Sequence, residues 1–348
     1  MRNQPRGAAV YGIDLGKTWF HVVGLDASGR PIHRLKLGRA TIFQFFANAT
    51  PALIGMEACP GSQWLARKLQ ALGHTVRIIP AQFVRPFVKS NKNDTVDAEA
   101  IAEAVGRPTM RFVQVKETEQ VDLQALHRAR DLAVNTRTRL ICQIRAFCLE
   151  YGVALRTGVG LFRIDLPKAL ADEHNDLTPA MRHLVHDLWD QLQQLEERIR
   201  ATTREIESIA HRSDVARRLT TVPGIGPISA TAIVAAVGDG KQFRRARDLS
   251  AWLGLVPAQY STGGKAHLLG ISKRGNAYVR RLLIHGARSC LLHLDRSRDR
   301  LGAWLTDLQR RMPVNKVVVA LANKLARVAW VILTRPGALY QRRDPQFA

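Results

Sequence analysis

The last third of this sequence contains no glutamate. Residues 221–348 carry 6 acidic side chains against 21 basic ones, residues 111–220 carry 16 against 17, and residues 1–110 carry 7 against 14. The whole chain of 348 residues has a formal net charge of +23, most of it in this last third. Such a basic bias favours binding of nucleic acid, whereas the near-neutral middle predicts another role, such as protein–protein contact.

Cysteine is scarce, and no apolar run of membrane length is uninterrupted. Residues 317–333 are the most apolar late stretch, but Asn323, Lys324 and Arg327 interrupt it, which predicts a buried or amphipathic helix and no membrane span. The residues up to Gly12 lack the apolar segment of a secretory signal. Wide spacing of the cysteines predicts free thiols in a reducing compartment and argues against a zinc site: Cys59, Cys142, Cys148 and Cys290.

The N-terminal third has the pattern of a mixed α/β domain. Apolar, β-rich runs bounded by turn residues predict strands over residues 8–15, 20–25, 32–37, 52–56 and 74–79. Helical spacing predicts helices over residues 61–72 and 94–105. Three strands followed by a strand–helix–strand–helix order is the order of the ribonuclease H-like fold.

Four acids occupy the positions where a ribonuclease H-like nuclease needs them. Asp14 ends the first strand, Glu57 follows a short apolar strand, and Asp94 and Asp97 begin a helix three residues apart, so they share one face. Clustered carboxylates repel one another unless a cation is bound. Mg²⁺ prefers oxygen ligands, and two such ions about 4 Å apart stabilise attack and departure at a phosphodiester.

Other interpretations of these acids remain open. Asp94 and Asp97 also fit a helix cap with its dipole partner. Asp14 lies in a Gly-Ile-Asp-Leu-Gly run that also opens the phosphate site of actin-like and sugar-kinase ATPases. Those ATPases need a later glycine-rich phosphate loop, and residues 112–217 contain none. The four acids together, in this order of elements, favour a nuclease-type metal site.

The middle of the chain is helical. Apolar residues step by three and four along residues 126–147 and again along residues 188–209. The second run keeps a 4–3 alternation from Leu188 to Ile209 with flanking charges, as in a coiled coil within this chain or between chains. A plain helical hairpin packed on its own domain is the alternative.

Two C-terminal motifs suggest nucleic-acid chemistry. Pro223-Gly224-Ile225-Gly226 between apolar helical flanks predicts a helix–hairpin–helix, whose backbone N–H groups bind phosphate without reading sequence. A glycine-rich helical corner is the alternative. Further on, Ser261 lies in a glycine-rich loop that ends at Lys265. A serine nucleophile would need such positive charge to hold a phosphate, but on spacing alone Thr262 and Ser272 are equally eligible.

These motifs together carry a family resemblance, and they occur in this order: Gly12-Ile-Asp-Leu-Gly16, Met56-Glu57-Ala58, Asn93-Asp94-x-x-Asp97-Ala98, Val222-Pro-Gly-Ile-Gly226, Ser261-Thr-Gly-Gly-Lys265 and Gly270-Ile-Ser-Lys-Arg-Gly275. The chain resembles the bacterial insertion-sequence transposases called DEDD transposases, over roughly residues 8–330. The closer resemblance is to the subgroup with the Ser-x-Gly-Gly-Lys and Gly-Ile-Ser-Lys-Arg-Gly runs.

The resemblance implies a recombinase guided by a noncoding bridge RNA that pairs with donor and target DNA. The four acids would hold one or two Mg²⁺ ions, and Ser261 would attack the DNA backbone to form a phosphoserine. This subgroup often has two serines in a row, and here the second position is Thr262. The residue aligned with the family's nucleophile is therefore Ser261 or, after an alignment error of one residue, Thr262. Acids and serine would meet across subunits of a dimer or tetramer joined by the coiled coil.

The resulting expectation is a RuvC-like domain over residues 1–155, a linker and coiled-coil helix over residues 156–215, and a mainly helical C-terminal domain over residues 216–348. Its function would be transposition in the bacterial cytosol. A RuvC-like, structure-selective endonuclease using only the acids is the alternative enzyme, and a non-catalytic nucleic-acid-binding protein is the third class. The expected nucleic-acid contacts, beyond the catalytic residues, are Gly224, Gly226, Lys265, Lys273, Arg274, Arg280 and Arg281.

Overall fold

Two compact units make up the chain. The structure is a computed structural model that describes residues 7–89 and 93–342, and it divides the chain into residues 1–118 and residues 119–348. We call these the N-terminal unit and the C-terminal unit. The predicted domain limits at residues 1 and 348 lie outside the described residues. So does the first part of the N-terminal segment in which no secretory signal was expected. The division into three domains stays a prediction.

A mixed five-stranded sheet forms the centre of the N-terminal unit. Its order is β3-β2-β1-β4-β5, with β1–β2 and β2–β3 antiparallel and β1–β4 and β4–β5 parallel. All five strands were predicted, and the topology is consistent with a ribonuclease H-like fold. Their bounds are β1 Val10–Leu15, β2 Trp19–Leu25, β3 Pro31–Gly38, β4 Leu53–Glu57 and β5 Thr75–Ile79.

Helices cover both faces of this sheet because successive strand residues point to opposite sides. Tyr11 and Ile13 of β1 pack with α1 and α2, whereas Val10 packs on the side of α3 and α4. The bounds are α1 Thr41–Ala47, α2 Ser62–Ala71, α3 Ala81–Val84 and α4 Asp94–Val105. Helix α4 coincides with its predicted range, and α1 and α3 were not predicted because they span only two turns or fewer.

Two glycines paired on adjacent strands let α4 lie close to the sheet. Gly12 of β1 lies opposite Gly55 of β4. A Cβ at position 12 would overlap the carbonyl oxygen of Ala98, and a Cβ at position 55 would lie 2.7 Å from the Cβ of Val105. Since α4 carries Asp94 and Asp97 in its first turn, this close approach fixes where those two carboxylates lie.

The C-terminal unit is mainly helical, as predicted. Its large core contains buried side chains from α8 to α13. The bounds of the long middle helices are α5 Thr118–Leu149, α6 Val159–Ala171 and α7 Pro179–Arg212. The other elements are α8 Asp214–Thr220, α9 Pro227–Val237, α10 Ala246–Trp252, β6 Pro257–Thr262, β7 Lys265–Ile271, α11 Ala277–His293, α12 Arg300–Arg311 and α13 Val314–Thr334.

The predicted seam of α7 is packed within the chain. Leu192 of α7 is buried with Ile144 of α5 and Phe162 of α6, and Arg163 of α6 pairs with the buried Glu196 at 2.6 Å. Helix α6 was missed, because its glycine- and proline-containing surroundings suggested an irregular linker. Both long helices are confirmed; the coiled coil itself stays a prediction.

The segment around Ser261 is a two-stranded antiparallel hairpin and not a loop. Ser261 lies in β6, opposite Ala266 of β7. Gly263 and Gly264 form the two-residue turn with φ of 55° and 76°, a backbone conformation that favours glycine and suits a tight hairpin. The predicted glycine-rich loop is therefore wrong except at its two glycines, because the residues on either side pair as strands.

Helix α13 is long and apolar enough to cross a membrane by length and composition, and half of its apolar window is buried in the protein. Its buried residues, such as Val317, Leu321 and Leu325, belong to the core of the C-terminal unit. The predicted buried helix is confirmed, and a core helix passes the same length and composition test, so no membrane is indicated.

We predict that Gly12→Ala destabilises the N-terminal unit by about 3 kcal/mol, because the new methyl group must push α4 off the sheet. Gly106→Ala is the matched control: Gly106 caps the other end of α4 with φ of −80°, and a Cβ there meets nothing within 4 Å. Urea denaturation of both variants measures the difference. Equal stability of Gly12→Ala and wild type would contradict the close packing described above.

Candidate functional site

Three elements bring the four predicted acids together. Asp14 is near the end of β1 and Glu57 ends the parallel neighbour β4, so both lie at the same edge of the sheet. Asp94 and Asp97 lie in the first turn of α4, which Asn93 caps by accepting a hydrogen bond from the Thr95 N–H. All four side chains line one open cleft of about 930 Å³.

Electrostatic repulsion is built into this cleft. Burial, followed by the charges of Asp94 and Asp97, raises the pKa of Asp14. Burial, followed by Asp14 and Asp97, raises the pKa of Glu57. Both shifts mean that the fold disfavours the charged form of these carboxylates. A bound cation would attract these carboxylates and so favour their charged form.

His21 belongs to the same cluster, and the sequence reasoning missed it. It lies in β2 directly opposite Asp14, and its Nδ1 is 3.4 Å from Oδ2 of Asp94. Potential ligand atoms of His21, Asp14 and Asp94 all lie within 4.8 Å of one another. The signal was available: a tight turn between β1 and β2, closed by a hydrogen bond from the Gly16 N–H to the Trp19 carbonyl, places residue 21 opposite residue 14.

The donor chemistry of the cleft fits a divalent cation. Asp14, Asp94, Asp97 and Glu57 supply carboxylate oxygens, the ligands that hard cations prefer, and His21 adds one nitrogen. Three basic side chains, Lys17, Lys36 and Arg85, also line the cleft. They offer positive charge where a phosphate would approach an acidic centre.

Cys59 is near the acids and is a poor nucleophile. Burial, followed by the charges of Glu57 and Asp14, raises the pKa of its thiol to about 11. The thiolate is the reactive form of cysteine, and it is scarce at neutral pH. All four cysteines are free thiols.

In the C-terminal unit, Ser261 is exposed on β6, and its Oγ accepts a hydrogen bond of 2.6 Å from Nε2 of Gln259. Thr262 pairs with Lys265 next to the turn. Because alternate strand residues point to opposite sides, Ser261 and Thr262 present their hydroxyls on opposite faces of the hairpin. The two candidate nucleophiles are therefore not interchangeable.

The predicted phosphate-binding turn connects α8 and α9. Gly224 has φ of 85°, and a Cβ there would lie 2.6 Å from the carbonyl oxygen of Gly286 in α11, so close packing within the unit accounts for this glycine. Gly226 precedes α9 as its cap residue, without a side-chain cap, and a Cβ there meets nothing within 4 Å. Gly226 is exposed, so the backbone just before α9 is accessible, although Pro227 at the first helical position has no N–H to donate.

The predicted basic contacts fall into two groups. Lys265, Lys273 and Arg274 are exposed. Arg280 donates hydrogen bonds to the carbonyls of Leu253 and Arg274 at 2.8 and 2.9 Å, and Arg281 pairs with Asp131. The last two arginines thus have partners within the fold, whereas the first three side chains are exposed, and the nucleic-acid contact of all five stays a prediction.

Comparison with known proteins gives matches to two families. Residues 216–301 match the family described as "Transposase IS116/IS110/IS902 family". Residues 11–152 match the DEDD family of the IS110 type, described as "Transposase". The second range includes all four acids, and the first includes Ser261 and the turn before α9.

Whole-chain relatives are also transposases by name. The chain is 46% identical to a "Probable family 20 transposase" of Pseudomonas aeruginosa, over 93% of this chain and 96% of that protein. It is 43% identical to the transposase for insertion sequence element IS1328 of Yersinia enterocolitica, over 95% and 98%. It is 42% identical to the transposase for IS1111A of Coxiella burnetii, over 96% and 92%.

We predict that Asp14→Asn keeps or raises the Tm of the metal-free protein at pH 7 yet removes most of the Tm increase caused by Mg²⁺ or Mn²⁺. The pKa of Asp14 is raised in the fold, so its charge is a destabilising contribution at neutral pH that disappears on acidification. The advantage of the variant should therefore shrink as the pH falls. A saturating cation stabilises wild type by about 2.7 kcal/mol at a hundred times its Kd.

Asp26→Asn is the matched control for this experiment. Hydrogen bonds from Ser28 and Arg30 lower the pKa of Asp26, so its charge stabilises the fold and the variant should have a lower Tm. Its response to metal should equal that of wild type. An unchanged metal response in Asp14→Asn would remove Asp14 from the metal site.

Proposed function

Because this chain belongs to the IS116/IS110/IS902 family of insertion-sequence transposases, and is therefore a DNA transposition enzyme, we propose that it exchanges DNA strands through a phosphoserine formed at Ser261. One observation carries the metal-dependent part of the proposal: four carboxylates converge on one cleft in a chain with a large basic excess. The charge repulsion among them is relieved by a cation, and a cation there serves phosphodiester chemistry. Mg²⁺, as one or two ions, is the proposed metal. The role of Ser261 rests on the family resemblance of the Ser261-Thr-Gly-Gly-Lys265 run.

Asp14, Glu57, Asp94 and Asp97 would hold the metal, which would polarise the phosphodiester and offset the charge that develops during attack. His21 would hold the Asp94 carboxylate in position. Lys17, Lys36 and Arg85 would attract the DNA backbone toward a centre that its own acids would otherwise make repulsive. The role of these residues is binding and orientation.

The proposed covalent step uses the hydroxyl of Ser261. Its Oγ loses a proton and forms a bond to phosphorus, while the bond from phosphorus to a deoxyribose oxygen breaks and that oxygen takes up a proton. The energy of the broken bond stays in the phosphoserine. Attack by the hydroxyl of a second DNA end reverses the step and rejoins the backbone, with no external energy source.

Several features of the C-terminal unit support DNA binding next to this chemistry. Lys265, Lys273 and Arg274 are exposed on or after the Ser261 hairpin. The accessible backbone at Gly226, just before α9, fits the proposed helix–hairpin–helix role, in which N–H groups bind phosphate. Gly224 would support that turn by packing on Gly286 and not by touching DNA.

The finer organisation follows the resemblance described above. We propose that a bridge RNA selects donor and target DNA, and that acids and serine act together across the subunits of a homo-oligomer assembled through α7. The proposed domains are residues 1–155, 156–215 and 216–348, and the proposed location is the bacterial cytosol.

The test of the covalent step is strand exchange between a donor and a target DNA with purified protein and RNA. Ser261→Ala should abolish exchange and the protein–DNA adduct seen on a denaturing gel, because the attacking oxygen is gone. Thr262→Ala is the matched control, since its hydroxyl faces the other side of the hairpin, and it should keep the adduct. Asp14→Asn should lose cleavage altogether.

Three outcomes would contradict a phosphoserine at Ser261. Ser261→Ala that still cuts DNA to free ends, with dependence on Asp14, would favour a RuvC-like endonuclease. Adducts that persist in Ser261→Ala but disappear in Thr262→Ala would move the nucleophile by one residue. Binding without any cleavage, indifferent to metal, would favour a non-catalytic nucleic-acid-binding protein.

The proposed guidance by a bridge RNA can be tested separately. RNA that co-purifies with the protein should consist mainly of one species, encoded beside the gene and complementary to two DNA sites. Sequencing of that RNA after nuclease treatment of the complex is the measurement, with RNA bound by an unrelated basic protein as control. A random sample of host RNA would contradict guidance while leaving the phosphoserine step intact.

A further inference from the structure

A long groove follows one face of α13. Its volume is about 890 Å³, and its lining lies entirely within the C-terminal unit. The lining positions on α13 recur every three or four residues from Asn315 to Val331, so they share one face over about 24 Å of helix. The opposite face of α13 is buried in the core.

Apolar and basic side chains alternate along this groove. The walls are Trp304 of α12 and residues Leu269 to Ile271 of β7. Lys316, Lys324 and Arg327 line the floor, and no aspartate or glutamate is among the described residues that line it. The groove is therefore apolar in its surface and positive in its charge.

No carboxylate in the described part of the chain lies within ion-pair distance of the cations of the groove, and the more distant Asp299 acts on Lys324 through its charge alone. Among the described residues, ion pairs within 4.0 Å involve none of Lys316, Lys324 and Arg327. The Nζ of Lys324 lies 4.2 Å from the centre of the Trp304 ring. Burial, and then the charge of Arg327, lower the pKa of Lys324. An apolar partner would bury these charges further at a cost, so the occupant must bring negative charge.

The hairpin continues the same surface toward its tip. Leu269, which lines the groove, is two residues from His267 along β7, next to an irregularity in the strand register, and Tyr260 is the direct partner of His267 across the hairpin. Tyr260 is 64% exposed. An exposed aromatic ring beside cationic side chains is the usual platform for an unstacked base.

We propose that the α13 groove and the Tyr260 face of the hairpin bind one unpaired strand of nucleic acid, with phosphates on Lys316 and Arg327 and bases against Trp304 and Tyr260. A duplex would offer phosphates but hide its base faces, whereas a single strand offers both. An acidic peptide is the rival occupant. The strand is favoured because the groove lies next to the hairpin that carries Ser261, although the Tyr260 face is the one opposite the Ser261 hydroxyl, and in this respect the inference rests on the proposed function.

The binding test uses full-length Ser261→Ala protein in EDTA, so that its outcome does not depend on cleavage. Fluorescence anisotropy with labelled single-stranded DNA, the same sequence as RNA, and the DNA duplex measures Kd over a range of salt. Tyr260→Ala should weaken single-strand binding about tenfold. The double variant Lys316→Gln/Arg327→Gln should reduce the log–log salt slope by roughly 1.4, for two phosphates of a single strand.

Matched controls separate this surface from general charge. Leu292 of α11 is 71% exposed and lies outside both the hairpin and the groove lining, and Leu292→Ala should leave Kd unchanged. Arg310 is exposed on α12 outside the groove lining, and Arg310→Gln is the charge control. Equal losses in Tyr260→Ala and Leu292→Ala, or no loss in the double variant, would overturn the proposal.

Site mapping gives a second readout that does not depend on affinity. An oligonucleotide carrying 5-iodouracil should cross-link on irradiation to the peptides that contain Tyr260 or Trp304, as identified by mass spectrometry. Cross-links confined to other regions would overturn the proposal. The proposal would also be overturned if the double variant lost binding of polyglutamate but kept binding of the oligonucleotide, because that result would assign the groove to an acidic protein.

Comparison of the RNA with the single-stranded DNA also shows whether the bound strand is the guide or the substrate. Tighter binding of the RNA would assign the groove to the guide, and tighter binding of single-stranded DNA would assign it to the substrate; both support the proposal. If the groove variants lose binding while the phosphoserine adduct is absent even from wild type, the proposed chemistry fails and the groove remains. If the adduct forms normally in groove variants with unchanged Kd, the groove proposal alone fails.

Discussion

The N-terminal unit depends on the close packing of α4 against β1 and β4, at the point where each strand has a glycine. Gly12 and Gly55 remove the Cβ atoms that would hold the helix away. The small residues Ala98 and Ala102 of α4 complete this contact. Since Asp94 and Asp97 begin the same helix, a packing constraint in the core determines the separation of carboxylates in the cleft. The geometry of the candidate site is here a consequence of backbone proximity.

That geometry destabilises the folded state when the carboxylates are charged. Asp14 and Glu57 have raised pKa values because the fold crowds and partly buries them. A chain selected only for stability would replace one of them with a neutral residue. Their presence together, in a unit that otherwise has few acids, is the physical sign of a centre built for a cation and a phosphate. The neighbouring lysines and the arginine of the cleft add positive charge beside these acids.

Much of this arrangement could be predicted from the sequence, and the failures have identifiable causes. Strand periodicity and the helix-start pattern located the sheet, α4 and all four acids, since local patterns determine them. His21 was missed because its role depends on strand register. Helix α6 was missed because Gly158 and Pro167 resemble linker residues, although Gly158 caps the helix and Pro167 lies within it. The internal roles of Arg280 and Arg281 depend on tertiary contacts that no local pattern records.

The two-glycine turn of the β6–β7 hairpin has a consequence for how this protein can change over time. The turn sets which strand residues lie opposite one another, and the alternation of the strand sets which hydroxyl each face presents. Inserting or deleting one residue between Ser261 and the turn would exchange the faces of Ser261 and its neighbours. Substitutions at the other positions of this hairpin keep its register, whereas a change of length near its tip does not, and variation among descendants should record that asymmetry.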